Sequence, residues 1–269
     1  MEVSIMKTFV KKTVVLLLGM ALVPGIFCLQ AFAHDMWLNM RHYTFEAGNP
    51  AYLTIGYGHY FAGPGGEFMP QEYLDELLMF DPDGRNMKIK ADNEVEYQSE
   101  EPLQKTGTYL VVAKKKGGFF TKTTEGWQRG HSKKGLRNVI RCSYSEKYAK
   151  AIVNIGNGRG NVFSKTLGHK LEIVPLQDPS ELREGDYMPV KVLFEGKPLQ
   201  APVYATYAGF STEKNAFAYA TKTNKEGVAK VKILKSGVWL VIVKHEVPYP
   251  DPAECDKISC SAALTFEVK

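Results

Sequence analysis

Two halves of this chain carry the same order of turn and strand signals, and that order restricts the fold to packed β-sheets. Glu46-Ala47-Gly48 leads into Tyr52-Leu53-Thr54-Ile55, and Arg183-Glu184-Gly185 leads into Val190-Lys191-Val192-Leu193. In both, apolar residues stand five and seven positions after the glycine. Farther on, Asp81-Pro82-Asp83-Gly84 and Asn224-Lys225-Glu226-Gly227 mark hairpin turns. Each half then places a glycine before an aromatic-aliphatic run, Gly107 before Tyr109–Val112 and Gly237 before Trp239–Val243. Short period-2 strands bounded by turn residues indicate an all-β fold of two tandem β-sandwiches. The expected boundaries are 34–171 for the first sandwich and 172–269 for a compact, immunoglobulin-like second, joined near Pro175–Pro179. Gln71–Met79 reads as a helical turn or a strand. Phe119–Arg137 is polar and glycine-rich, which predicts a long irregular loop.

The start of the chain has the three parts of an export signal. Lys7, Lys11 and Lys12 are its basic start, Thr13–Val23 its apolar run, and Ala31-Phe32-Ala33 its small-residue cleavage site. The apolar run is too short for a retained membrane span. Cleavage after Ala33 predicts a periplasmic protein that does not itself span the membrane and that begins at His34. Losing Lys7, Lys11, Lys12 and Glu2 lowers the formal charge of +5 by two. With basic residues interleaved with acids, Lys114-Lys115-Lys116 and Lys133-Lys134 read as solvated strand ends and loops, and no nucleic-acid partner is expected. Three cysteines remain, and an oxidising compartment favours one pair. Cys142–Cys255 is the favoured pair and Cys255–Cys260 the alternative; Cys260 alternates with Ala262, Leu264 and Phe266 as a core residue.

An N-terminal histidine offers a metal ion two donors, its free amine and its ring Nδ1. His59, in Gly56-Tyr57-Gly58-His59, is the best partner, because flanking glycines allow close backbone approach. His245 at a strand end and His131 in the glycine-rich loop are possible additions to the site; His42 and His169 read as exposed or linker positions. Asp35 offers an oxygen ligand or an acceptor behind the ligands. Trp37 faces away from Met36, for packing or for sheltering the amino terminus. No HExxH, GxSxG, P-loop or dinucleotide fingerprint occurs, so nothing in the sequence argues for an enzyme.

With these residues in view, the chain resembles a bacterial family of exported proteins classed as a domain of unknown function. Its members are labelled the periplasmic component of an ABC-type cobalt transport system, or nickel-uptake-associated. The resemblance is carried by His34-Asp35-x-Trp37-Leu38, Gly58-His59-x-Phe61, Asp81-Pro82-Asp83-Gly84 and Gly107-Thr108-Tyr109. It continues through Leu171–Leu176 with Asp178-Pro179, Gly196-Lys197-Pro198-Leu199, Gly237-x-Trp239-Leu240 and Leu264–Val268. It implies a periplasmic binder of nickel, cobalt or copper that supports a membrane uptake transporter. Two other classes stay open: a copper oxygenase built on a two-histidine brace, and a non-catalytic adhesion or scaffold module.

Overall fold

The computed structural model describes residues 34–61, 68–157 and 159–269. The export segment 1–33, with its cleavage after Ala33, lies outside the described residues. Among the described residues, period-2 apolar patterning appears as eighteen strands. The first seven are β1 (Asp35–Met40), β2 (Thr44–Phe45), β3 (Tyr52–Gly58), β4 (Leu74–Phe80), β5 (Asn86–Met87), β6 (Ile89–Ala91) and β7 (Glu96–Ser99). Then come β8 (Gly107–Thr123), β9 (Gly126–Arg129), β10 (Val139–Ile155), β11 (Leu171–Pro175), β12 (Tyr187–Phe194) and β13 (Lys197–Pro198). The chain ends with β14 (Pro202–Tyr207), β15 (Tyr219–Lys222), β16 (Val228–Lys232), β17 (Gly237–Pro248) and β18 (Lys257–Val268).

The all-β sandwich expectation holds, and the two sandwiches share a sheet. A ten-stranded sheet runs β15-β14-β17-β18-β10-β8-β4-β5, with β2 and β9 at its margins. It is knit across the two halves of the sequence by the parallel pairing of β10 with β18, from Ser143↔Lys257 to Ala151↔Thr265. Strand alternation sends its side chains into two separate cores. Tyr109, Val111, Ala113, Ala149, Ala151, Val153, Leu240, Ile242 and Ala263 pack against the sheet β1-β3-β7-β6. Leu110, Val112, Ile152, Trp239, Val241, Val243, Leu264 and Phe266 pack with Ile173, Val190, Val192 and Val231 of β11, β12 and β16. The first set defines the amino face of the large sheet and the second its carboxy face.

Three local expectations are corrected. The irregular loop expected over 119–137 begins as sheet: β8 continues to Thr123, flanked by β9 on one edge and β10 on the other. Pairing on both edges satisfies the backbone of a stretch whose glycines argued for a loop. Gly117 lets the Tyr144 ring lie against the strand where a β carbon would sit. Lys115, expected in solvent, is buried on the amino face, while Lys114 and Lys116 on the opposite face stay accessible. His169, expected in an exposed linker, is buried with its ring stacked on Tyr148. The 71–79 segment is both structures in turn, a 3-10 turn Gln71–Tyr73 followed by β4.

Cys142 and Cys255 form the disulfide, while Cys260 is a buried free thiol. On the carboxy face, Lys150 of β10 meets Glu172 of β11 at 2.7 Å, both nearly inaccessible. Glu172 also accepts backbone N–H groups of Leu167 and Gly168, and Lys150 donates to the Lys165 carbonyl. This pair pins the second outer sheet to the shared one. Glu172→Gln is expected to destabilise the protein by about 3–5 kcal/mol in urea unfolding, by stranding a buried ammonium. A paired Lys150→Met, Glu172→Leu variant is expected to recover most of that loss, since a well-packed apolar pair replaces the ions.

Candidate functional site

The β1–β3 ladder builds the site. Its register runs Trp37↔Gly56, Met36↔Tyr57 and Asp35↔Gly58, so the next pair outward is His34 opposite His59. Their rings are 4.6 Å apart between centroids, and His34 also stacks on Tyr57 at 5.0 Å. Residues two apart on a strand share a face, which brings Tyr57 and His59 to the face of the ladder on which the His34 ring lies. On the other side of the ladder Trp37 lies against Gly56 and Gly58 and meets Phe61 edge-on. Its Nε1 donates to Asn39 Oδ1 at 3.0 Å. The glycines noticed in the sequence thus serve the indole as much as the histidine.

Asp35, His59 and Asn215 line one small cavity with Trp37, Phe61 and Phe217. Three buried polar atoms of these residues, Asp35 Oδ1, His59 Nδ1 and Asn215 Oδ1, have no hydrogen-bond partner. All three can offer a lone pair, the donor chemistry of a cation site. Asn215 arrives from the segment between β14 and β15 and is fixed by its own backbone, whose N–H donates to the His59 carbonyl at 2.7 Å. It holds a left-handed φ of 56°, a conformation that asparagine tolerates better than most residues. Sequence reasoning missed Asn215 because no motif surrounds it; its non-glycine left-handed turn could be found only in three dimensions.

The other candidates lie elsewhere. Lys244 of β17 reaches Asp35 at 2.8 Å, so His245, next in the strand, points to the opposite face of the large sheet. There it packs edge-on against Phe194 at 4.6 Å, and burial lowers its affinity for a proton. His131 is exposed, and its carbonyl accepts from Thr121 beside the segment held by the disulfide. Neither joins His34 and His59. Among the described residues, no three His, Cys, Asp or Glu side chains converge as a metal cluster.

Beneath the site lies a row of buried cations that periodicity alone did not suggest. Lys115, Lys147, Ser261 and Lys244 are direct register partners across β8, β10, β18 and β17. Lys115 and Lys147 are both buried. Burial pulls the Lys147 ammonium down to about 8; Asp35 opposes this, and Lys244 and Lys115 add to it. Its unfolded value is about 10.4. The unfolded chain therefore binds more protons between these values, and this residue's contribution makes stability rise with pH across that window. Comparing parent with Lys147→Met by urea unfolding from pH 8 to 10 is expected to reveal a rise of roughly 2–3 kcal/mol that only the parent shows.

Gly56 offers a second check. A β carbon there would overlap the Trp37 indole. Gly56→Ala is expected to cost about 1–3 kcal/mol through overpacking, with a change in Trp37 packing visible in near-ultraviolet circular dichroism.

The chain belongs to the family described as a domain of unknown function, DUF4198, which matches residues 31–247. Among curated proteins none matches the chain. Solved structures give loose superpositions. The D0-D1 domain of intimin is 14% identical, with 87% of this chain and 98% of that one covered and a TM-score of 0.22. The Escherichia coli adhesin FdeC is 11% identical, with 86% and 66% covered and a TM-score of 0.21. Superpositions this loose carry neither fold nor function to this chain.

Proposed function

We propose that this protein is a carrier outside the cytoplasm that holds one divalent transition-metal ion between His34 and His59 and passes it to a membrane uptake system. The observation supporting this reading is His59 Nδ1, buried without a hydrogen-bond partner beside the ring of a second histidine. With cleavage after Ala33, His34 would contribute its α-amine and Nδ1, and His59 a third nitrogen. Asn215 supplies an oxygen donor from the cavity that His59 lines, and Asp35, paired with Lys244, stands behind the ligands. Imidazole and amine donors suit nickel, cobalt and copper, and copper has the highest raw affinity of the three. A nickel or cobalt role therefore depends on availability and delivery more than on this donor set. Ligating imidazoles must be neutral, so the ion is released on acidification.

The test is titration of nickel, cobalt and copper into protein exported through its own signal, with its first residue fixed by intact mass. One ion per chain is expected. His59→Ala and His34→Ala are each expected to weaken binding at least about a hundredfold, the upper range for losing a metal-site interaction. Asn215→Ala should weaken it about tenfold. Acetylating the α-amine of His34 keeps the imidazole, removes the chelating amine, and should weaken binding. Unchanged binding in His59→Ala would sink the proposal.

A further inference from the structure

The far end of the β9-β8-β10 sheet plays no part in the metal reading, yet it concentrates charge. Between residues 114 and 142 the chain has Lys114, Lys115, Lys116, Lys122, Arg129, Lys133, Lys134, Arg137 and Arg141 against one acid, Glu125. Those nearer the body are used internally: Lys114 pairs with Asp75, Lys115 is buried, Lys133 pairs with Asp256, and Lys134 with Asp251 and Glu254. At the end of the sheet the pattern changes. Among the described residues no carboxylate pairs with Lys122, Arg129, Arg137 or Arg141. Trp127, Lys122 and Arg141 stand in one row across β9, β8 and β10. The Trp127 ring has Arg141 Cζ at 5.2 Å and Lys122 Nζ at 5.6 Å, and still remains 48% exposed. Ile140 lies in the adjacent β10 irregularity and is 60% exposed.

We propose that this end of the sheet docks on an anionic lipid bilayer. An exposed indole ringed by unpaired cations, with an exposed isoleucine nearby, combines the two attractions of a bilayer interface. Tryptophan settles at headgroup depth, and arginines meet the negative surface. The surface is held ready for docking. Thr121 Oγ1 donates to the His131 carbonyl at 2.6 Å, the Lys133 N–H donates to the Glu254 carbonyl, and the Cys142–Cys255 disulfide ties β10 to the segment before β18. Binding therefore orders little new chain. A soluble acidic protein is the competing partner, but an exposed Trp–Ile pair gains most from an apolar phase.

The experiment is vesicle co-sedimentation of the full chain, with vesicles of phosphatidylcholine alone or mixed equally with phosphatidylglycerol. Binding to the anionic vesicles only is expected, falling steeply as salt is raised to about 0.5 M. An Arg129→Gln, Arg137→Gln, Arg141→Gln variant should bind about a hundredfold more weakly, roughly fivefold per arginine. Trp127→Ala with Ile140→Ala should lose about tenfold. Of the three tryptophans Trp37 and Trp239 are buried, so a blue shift of emission on binding reports Trp127. All substituted residues are exposed, and unchanged thermal unfolding verifies that each variant is folded. The same series is run on the chain beginning at His34, so that residues 1–33 cannot supply the binding. Absence of binding to anionic vesicles at low salt overturns the proposal, as does equal binding by the variants. Equally tight binding to soluble polyphosphate or an acidic peptide, with no emission shift, overturns it in favour of a soluble partner.

Discussion

Both cores depend on one sheet whose central strands are covered on both faces. In β8, β10, β17 and β18, even and odd residues enter different cores, so Leu110 and Val111, or Trp239 and Leu240, are neighbours in sequence but lie in opposite layers. A strand covered on both faces has no face on which to place a charge freely. The charges that do occur are therefore specific in position: Lys150 is met by Glu172 on the carboxy face, and Asp35 meets Lys244 on the amino face. A one-residue slip in β10 would exchange its two sets of side chains and strand Lys150 away from Glu172, which makes the register of the shared sheet strongly determined.

The candidate site depends on the same geometry at one remove. β1 must lie close on the amino face for Asp35 to reach Lys244, and Trp37 can lie against β3 only because position 56 has no β carbon. With the indole seated, the ladder continues one step and brings His34 to His59. Burial around the site is what leaves Asp35 Oδ1, His59 Nδ1 and Asn215 Oδ1 without partners, an unfavourable condition that a bound cation would relieve. The two proposed activities are separate in space, one at the start of β1 and the other at the end of the β8–β10 hairpin. Each can fail without the other.

Much of this was decided locally. The glycine turns, the period-2 runs from Tyr109 and Trp239 and the alternation of Cys260 with Ala262 and Leu264 made the strands legible. The glycines around residue 57 marked His59 as a position where chains approach closely. These signals depend on neighbours within a few residues, and backbone sterics plus side-chain alternation suffice to read them. The sequence by itself therefore determined an all-β chain with a candidate histidine pair and Cys142–Cys255 as the favoured disulfide.

Only the tertiary structure decided that two sandwiches share one sheet, because the parallel β10–β18 pairing joins segments more than a hundred residues apart. That pairing also aligned Lys115, Lys147 and Lys244 in one row, and β9 and β10 on the two edges of β8 made strand of the apparent 119–123 loop. Asn215 entered the site for the same reason, through a backbone hydrogen bond to a residue far away in sequence. Long-range register is set by burial summed over whole layers, and no local pattern encodes which distant strand supplies the partner.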